Sequence, residues 1–165
     1  MKNFRIEKLA RIHEVENFDC GEAELNKFLH INALNNQLAG SSQTYLVLSD
    51  SKVIGFYSLV VGQVLYSDAP KRLKKGLPRH PIPIMLLARM AVDKNRQGQG
   101  IGAGLLKDAM LRTLQASDIA GIRAFIVHIK NQNAKAFYEH FNFQPSPTDP
   151  YHLFILLKDI KAFLE

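Results

Sequence analysis

The chain reads as an α/β protein on three observations. Segments of strand-like composition alternate with segments of helical periodicity, a nearly continuous apolar run from Ile84 to Val92 marks the centre of a mixed sheet, and that run leads through a glycine-rich turn into an amphipathic helix. No internal repeat, linker or low-complexity stretch interrupts the 165 residues, so a single domain over 1–165 is expected. A chain of this length buries about two-thirds of its unfolded surface.

Each element has its own signal. Phe4, Ile6 and Leu9 alternate with charged residues, the period of a half-buried first strand. Asp19 and Glu22 have capping-box spacing. Leu25, Phe28, Leu29, Leu34 and Leu38 then recur at helical intervals up to Gly40, which predicts a long amphipathic helix or a helix pair. Tyr45 and Val47 precede the turn Ser49-Asp50-Ser51-Lys52, and Val53 to Val64 supplies the returning strand of a hairpin. Gly55 and Gly62 within it point to a bulge or a close approach, unless they are simply tolerated. Arg89 alone breaks the apolar strand that ends at Val92. Ala103, Leu105, Leu106, Ala109, Met110 and Leu114 then trace a helix that exits at Gly121. Ile122 to Ile129 reads as a strand, Ala134 to Phe141 as a helix, Tyr151 to Leu157 as a last strand, and Lys158 to Glu165 as a terminal helix.

Composition narrows the class of protein. With 47% hydrophobic and 22% charged residues the chain is globular. No apolar run reaches spanning length and the start, Met1-Lys2-Asn3-Phe4-Arg5, lacks a signal-peptide core, so a cytoplasmic protein with no membrane partner is expected. The single cysteine, Cys20, can form no internal disulfide, and with no Cys/His set around it no metal is expected; a small packing residue is the simpler role. The net charge of +6 is clustered: Lys71, Arg72, Lys74, Lys75, Arg79 and His80 fall within ten residues, on a loop or short helix between strands. Such a cluster is either a solvated charged face or a contact for polyphosphate or a nucleic-acid backbone.

The turn after Val92 carries the chemistry. Gly98, Gly100 and Gly102 have no β-carbons, so successive N–H groups can close around an anion while the following helix N-terminus adds partial positive charge. The residues Gly98-Gln99-Gly100-Ile101-Gly102-Ala103 satisfy the loose dinucleotide pattern. That fold, however, needs the strand to run into the first glycine and an acid at the end of the next strand. Here Asp93 to Gln97 intervene, and the next strand ends in His128-Ile129-Lys130. A nucleoside-triphosphate loop is excluded because no Gly-Lys-Ser/Thr follows.

Read as Gln97-x-x-Gly100-x-Gly102 after Val92-Asp93, the turn resembles the acetyl-CoA loop of the GNAT acyltransferase superfamily. Asn131-x-x-Ala134-x-x-Phe137-Tyr138-x-x-x-Asn142-Phe143 resembles the later helix of that superfamily, with Asn142 where glycine is usual; Asn tolerates the left-handed conformation of a helix C-cap. The resemblance implies the GNAT fold: a central mixed, largely antiparallel twisted sheet, flanked by helices and splayed after the fourth strand. Three further segments resemble, more narrowly, the TacT-like GNAT toxins of bacterial toxin–antitoxin modules: Phe18 to Leu29, Gly55-Phe56-Tyr57-Ser58-Leu59, and the run from Leu77-Pro78-Arg79-His80-Pro81-Ile82-Pro83 to Asp93. What this implies is an acetyl-CoA-dependent N-acetyltransferase that modifies the α-amino group of aminoacyl-tRNA and halts translation. It also implies frequent homodimers and a ribbon-helix-helix antitoxin. A GNAT enzyme for a small amine or a protein N-terminus, and a non-catalytic acyl-CoA or antitoxin-binding module, are the alternatives.

The resemblance also assigns residues. Met90, Ala91 and Val92 would bind the cofactor, a backbone N–H among them serving the oxyanion, and Arg96, Gln97, Gly98, Gln99, Gly100, Ile101 and Gly102 would meet the pyrophosphate, although Arg96 and Gln97 also suit a solvated turn. Asn131 matches a cofactor-contacting Asn, and equally a helix N-cap; Phe137 lies in the same motif. Tyr138 matches the general acid, since a phenol can hydrogen-bond a departing thiolate, whereas packing of the helix is its ordinary role. Lys71, Arg72, Lys74, Lys75, Arg79 and Arg89 would contact tRNA, with an ion pair the alternative for Arg89, which cannot be buried without a partner. His128 and His140 lie on apolar-rich elements and are given no catalytic role.

Overall fold

In a computed structural model the structure describes residues 4–164; Met1 to Asn3 and Glu165, the last residue of the expected terminal helix, lie outside it. Seven strands form one sheet in the order β1-β2-β3-β4-β5-β7-β6: β1 (Phe4–Lys8), β2 (Gln43–Ser49), β3 (Lys52–Val64), β4 (Ile82–Val92), β5 (Ala124–His128), β6 (Gln144–Pro145) and β7 (His152–Leu156). The pairs β1·β2, β2·β3, β5·β7 and β6·β7 are antiparallel and β4·β5 is parallel, so the sheet is mixed and mostly antiparallel, as expected. The helices are α1 (Ala23–Lys27), α2 (Ala33–Leu38), α3 (Lys71–Lys74), α4 (Ile101–Ser117), α5 (Gln132–His140) and α6 (Leu157–Leu164). The chain clusters into two compact units, 1–60 with 88–109, and 61–87 with 110–165.

In the first unit, α1 and α2 are joined by a π-helical turn, Phe28–Asn32, where one long helix or a pair was expected. The turn widens the helix so that Phe28 and Leu29 are both buried, and Phe28 stacks on Phe56 of β3 at 6.1 Å. Ile31 and Leu38 consequently stand exposed. The capping box does not form: Glu22 occupies the cap position without a side-chain bond. Asp19 instead accepts from Gly21 N–H and Asn26 Nδ2, both at 2.9 Å. Asp19 also pairs with Lys94 at 2.9 Å, and these donors hold its carboxyl far below the usual carboxylate range.

Gly55 answers to close approach. A β-carbon there would lie 2.8 Å from Val47 Cγ1, 3.1 Å from the Ala91 carbonyl oxygen and 3.2 Å from Leu105 Cδ1, and the β2·β3 register slips between Val47 and Leu48 beside it. Gly62, by contrast, meets only Ile84 Cδ1 at 3.4 Å and is merely tolerated.

In the second unit, β5 is shorter than the apolar run that predicts it, and Ile84 to Leu87 pair with Ala124 to Val127. That register stops where β4 still has five residues to run. Ala69, Leu73, Ile82, Ile126, Phe154 and Leu156 make up much of the core here. The two-residue strand β6 carries no periodicity to betray it. No helix among the described residues is long and apolar enough to cross a membrane.

Candidate active site

The first unit holds the glycine turn. Asp93, buried at the end of β4, donates its N–H to Ile54 O at 2.8 Å. It accepts Asn95 N–H on Oδ1 at 2.8 Å and Arg96 N–H on its carbonyl at 2.9 Å. These bonds fix the point at which the chain leaves the sheet. Gln97 sends its Nε2 to the carbonyls of Val92 at 3.1 Å and Cys20 at 3.3 Å, so its side chain braces the turn. Gly98 and Gly100 adopt φ of +79° and +81°, the left-handed conformation that turns their amides, and a β-carbon at either would meet nothing within 4 Å. The space beside the turn is therefore open.

The first helical bond of α4 runs from Gly104 N–H to Gly100 O at 3.1 Å. The amides of Ile101, Gly102 and Ala103 consequently have no intrahelical acceptor. Such free amides, together with those of the glycines, can meet an anion; Gln99 on the same turn is exposed and Arg96 half-buried. Leu105, Leu106 and Ala109 on the buried side of α4 seat the helix, and Tyr57 Oη donates to Asp108 at 2.6 Å.

Met90, Ala91 and Val92 lie on the part of β4 beyond its register with β5, so the strand's pairing with β5 makes no claim on their amides. Arg89, next to them, is half-buried, and its guanidinium carbon lies 3.8 Å from the Phe28 ring centroid. Neither an ion pair nor a hydrogen bond holds it among the described residues. Cys20 is buried, which pushes its thiol pKa up and suits a packing residue.

The second unit holds the candidate acid. Asn131 caps α5, its Oδ1 accepting Ala134 N–H at 2.9 Å, and Asn142 closes the helix region at φ +71°, the left-handed position expected of it. Tyr138, 7% exposed, packs edge-on to Phe137 at 5.0 Å and to Phe143 at 5.4 Å. Its hydroxyl has no hydrogen-bond partner among the described residues, yet it is not one of the sealed polar atoms. Burial pushes the phenol pKa well above its ordinary value, so it stays protonated throughout the working pH range. A buried donor without a protein acceptor is set up to donate to something that is not protein.

The basic segment is also in this unit. Arg72 forms a bidentate pair with Asp159 of α6, at 2.6 and 3.1 Å, and is thereby a structural anchor. Lys74 and Arg79 lie 5.0 and 5.9 Å from the Tyr66 ring centroid, and Lys71 and Lys75 have no acidic partner among the described residues. Tyr66, Lys71, Arg72, Lys74, Lys75, Gly76 and Leu77 surround an open cavity of about 470 Å³. The sequence assigns no site role to Tyr66, Arg123 or Asp159, and places Phe28 only on the apolar face of a helix. Only Phe28 had a signal, since a lone arginine in an apolar strand demands a partner. No group of three or more potential metal-ligating side chains occurs among the described residues.

A family model described as Acetyltransferase (GNAT) domain matches residues 40–145, which include the glycine turn, Asn131 and Tyr138. Over 157 residues the chain is 43% identical to a tRNA-acetylating toxin of Mycobacterium tuberculosis, covering 95% of this chain and 94% of that protein. Among solved structures, AtaT complexed with acetyl-methionyl-tRNAfMet superposes with a TM-score of 0.91 at 29% identity, over 99% of this chain and 100% of that one. A mutant AtaT toxin bound to the C-terminus of the antitoxin AtaR and acetyl-CoA gives a TM-score of 0.83 at 27% identity, over 99% of each chain. The fold, the turn after β4 and the family match agree, and the chain belongs to the GNAT acetyltransferase family.

Proposed function

We propose that this chain is an acetyl-CoA-dependent N-acetyltransferase whose acceptor is the α-amino group of aminoacyl-tRNA, and that it acts as a translation-blocking toxin. The observation that carries the reading is a buried phenol without a protein acceptor, Tyr138, in a chain whose glycine turn has open space beside Gly98 and Gly100. The likeness to a tRNA-acetylating toxin and to AtaT with acetyl-methionyl-tRNAfMet supports the choice of acceptor.

The open space beside Gly98 and Gly100 and the unpaired amides at the start of α4 suit a diphosphate, so these residues would hold the coenzyme, with Arg96 adding charge. Acetyl-CoA supplies the activated acetyl thioester when bound. Amides of Met90 to Val92 would stabilise the charge that develops on the carbonyl oxygen. An α-amino group titrates near 7.7, and esterification of its carboxyl lowers that further, so a substantial fraction is neutral at pH 7.5 and no strong base is required. Tyr138, kept protonated by its surroundings, would donate to the departing sulfur. Lys71, Lys74, Lys75 and Arg79, with Arg89 on β4, would meet the phosphates of tRNA, while Arg72 holds α3 in place.

The same reading takes 1–165 as one domain, working in the cytoplasm as a homodimer and neutralised by a ribbon-helix-helix antitoxin. The AtaT complex with the C-terminus of AtaR supports an antitoxin as partner. Incubation with acetyl-CoA and bulk charged tRNA, followed by mass spectrometry, tests the activity: N-acetylated aminoacyl esters are expected. Acetylation of free amines or protein termini with none on charged tRNA would overturn the choice of acceptor.

A further inference from the structure

The helix that carries the basic cluster is too short to hold itself. A four-residue helix such as α3 makes about one turn of hydrogen bonds, and no side chain caps its N-terminus. Its C-terminal carbonyls are met from fifty residues away: Arg123 Nε donates to Leu73 O and Nη2 to Lys75 O, both at 3.0 Å. The backbone of Arg123 is fixed in turn, its N–H donating to Pro83 O at 2.9 Å and its carbonyl accepting Leu157 N–H at 3.4 Å. One guanidinium thus joins the segment at both ends of the turn Leu73–Lys75 to the starts of β5 and α6. The Leu73 side chain is buried. Two parallel donors in a rigid fork suit this task, which a lysine ammonium cannot reproduce.

We propose that Arg123 is a positioning residue for substrate: by holding the carbonyls of Leu73 and Lys75 it keeps Lys71, Lys74 and Lys75 in the one arrangement that engages the phosphates of an RNA backbone together. This rests on the tRNA reading above. Arg123 need not touch the RNA. Cations on a fixed frame release counterions as a set, whereas the same cations on a loose loop lose that concerted contact and the ordering entropy with it.

Acetyl transfer to charged tRNA is measured for wild type, Arg123→Ala and Arg123→Lys over a series of KCl concentrations, with circular dichroism melts and limited trypsin digestion alongside. For Arg123→Ala the KM for aminoacyl-tRNA should rise about tenfold while kcat and the KM for acetyl-CoA stay within about twofold. The slope of log KM against log salt should become shallower by about two, and tryptic cleavage between residues 71 and 75 should accelerate. Arg123→Lys keeps the charge and should recover little of this.

Full recovery by lysine would overturn the proposal, because charge alone would then suffice. An unchanged salt slope, or a folded Arg123→Ala with wild-type KM, would overturn it as well. If Arg123→Ala fails to fold, the comparison of wild type with Arg123→Lys decides by the same criteria. Failure of the tRNA reading looks different: wild type itself would then show no transfer to charged tRNA at any salt.

Discussion

The guanidinium carbon of Arg89 sits 3.8 Å from the centroid of the Phe28 ring, and Phe28 in turn lies on Phe56 at 6.1 Å, so a cation on β4 rests on an aromatic stack. The π-helical turn Phe28–Asn32 is what brings Phe28 beneath it. Cation–π attraction of a partly desolvated guanidinium is worth about 1–2 kcal/mol and depends on the planar group lying flat. Arg89→Lys should therefore lower stability to urea by about 1 kcal/mol. If its N–H groups meet RNA phosphates, the KM for aminoacyl-tRNA should rise while that for acetyl-CoA does not. Wild-type stability and wild-type KM in this variant would remove both roles.

Gly55 and Gly62 make a paired test on one strand. Gly55→Ala places a β-carbon against Val47 Cγ1 and the Ala91 carbonyl, and the backbone oxygen cannot yield by rotation. Overpacking of this kind costs about 1–3 kcal/mol. If, as proposed, the strand at Ala91 meets the thioester, coenzyme affinity measured by calorimetry should fall with it. Gly62→Ala, facing only the end of Ile84, should change stability by less than about 1 kcal/mol. Equal effects at the two positions would count against the close approach.

The rings of His128 and His152 stack at 3.9 Å across the β5·β7 pair, where the two residues are direct partners. Burial first, and the neighbouring His152 second, lower the His128 pKa below 6.5, with Asp149 acting the other way; Asp149 also pairs with His152 at 3.3 Å. A folded-state value below the unfolded one means that the fold favours the neutral ring. The associated stability is complete above about pH 6.5 and is lost as pH falls through the lowered value. Thermal melts from pH 8 to pH 5 should show a steeper fall in Tm for wild type than for His128→Phe, which keeps the stack without the proton. Parallel curves would contradict this.

Much of the fold and site was legible because it depends on local rules. The left-handed Asn142, the cap at Asn131, the hairpin about Ser49–Lys52 and the glycine turn are each decided by residues a few positions apart. What could not be read depends on partners distant in the chain. Asp19 has capping-box spacing, but Lys94 and Asn26 compete for its carboxylate more effectively than the backbone at the start of α1. Gln97 has the position of a phosphate contact, yet the carbonyls of Val92 and Cys20 take its side-chain amide. Arg72 counts as one more cation of a basic run until Asp159, 87 residues later, meets it. Periodicity records which face of an element is buried and is silent on which polar group will find which.

In the proposed reaction Tyr138 would donate to the leaving group from a buried position with no protein acceptor. Tyr138→Phe removes one hydroxyl and keeps the packing against Phe137 and Phe143, so the melting temperature and coenzyme affinity should be preserved. The rate of acetyl transfer to charged tRNA, measured with both substrates saturating, should fall about 100-fold or more. A folded Tyr138→Phe enzyme with kcat within about twofold of wild type would rule out proton donation by this phenol.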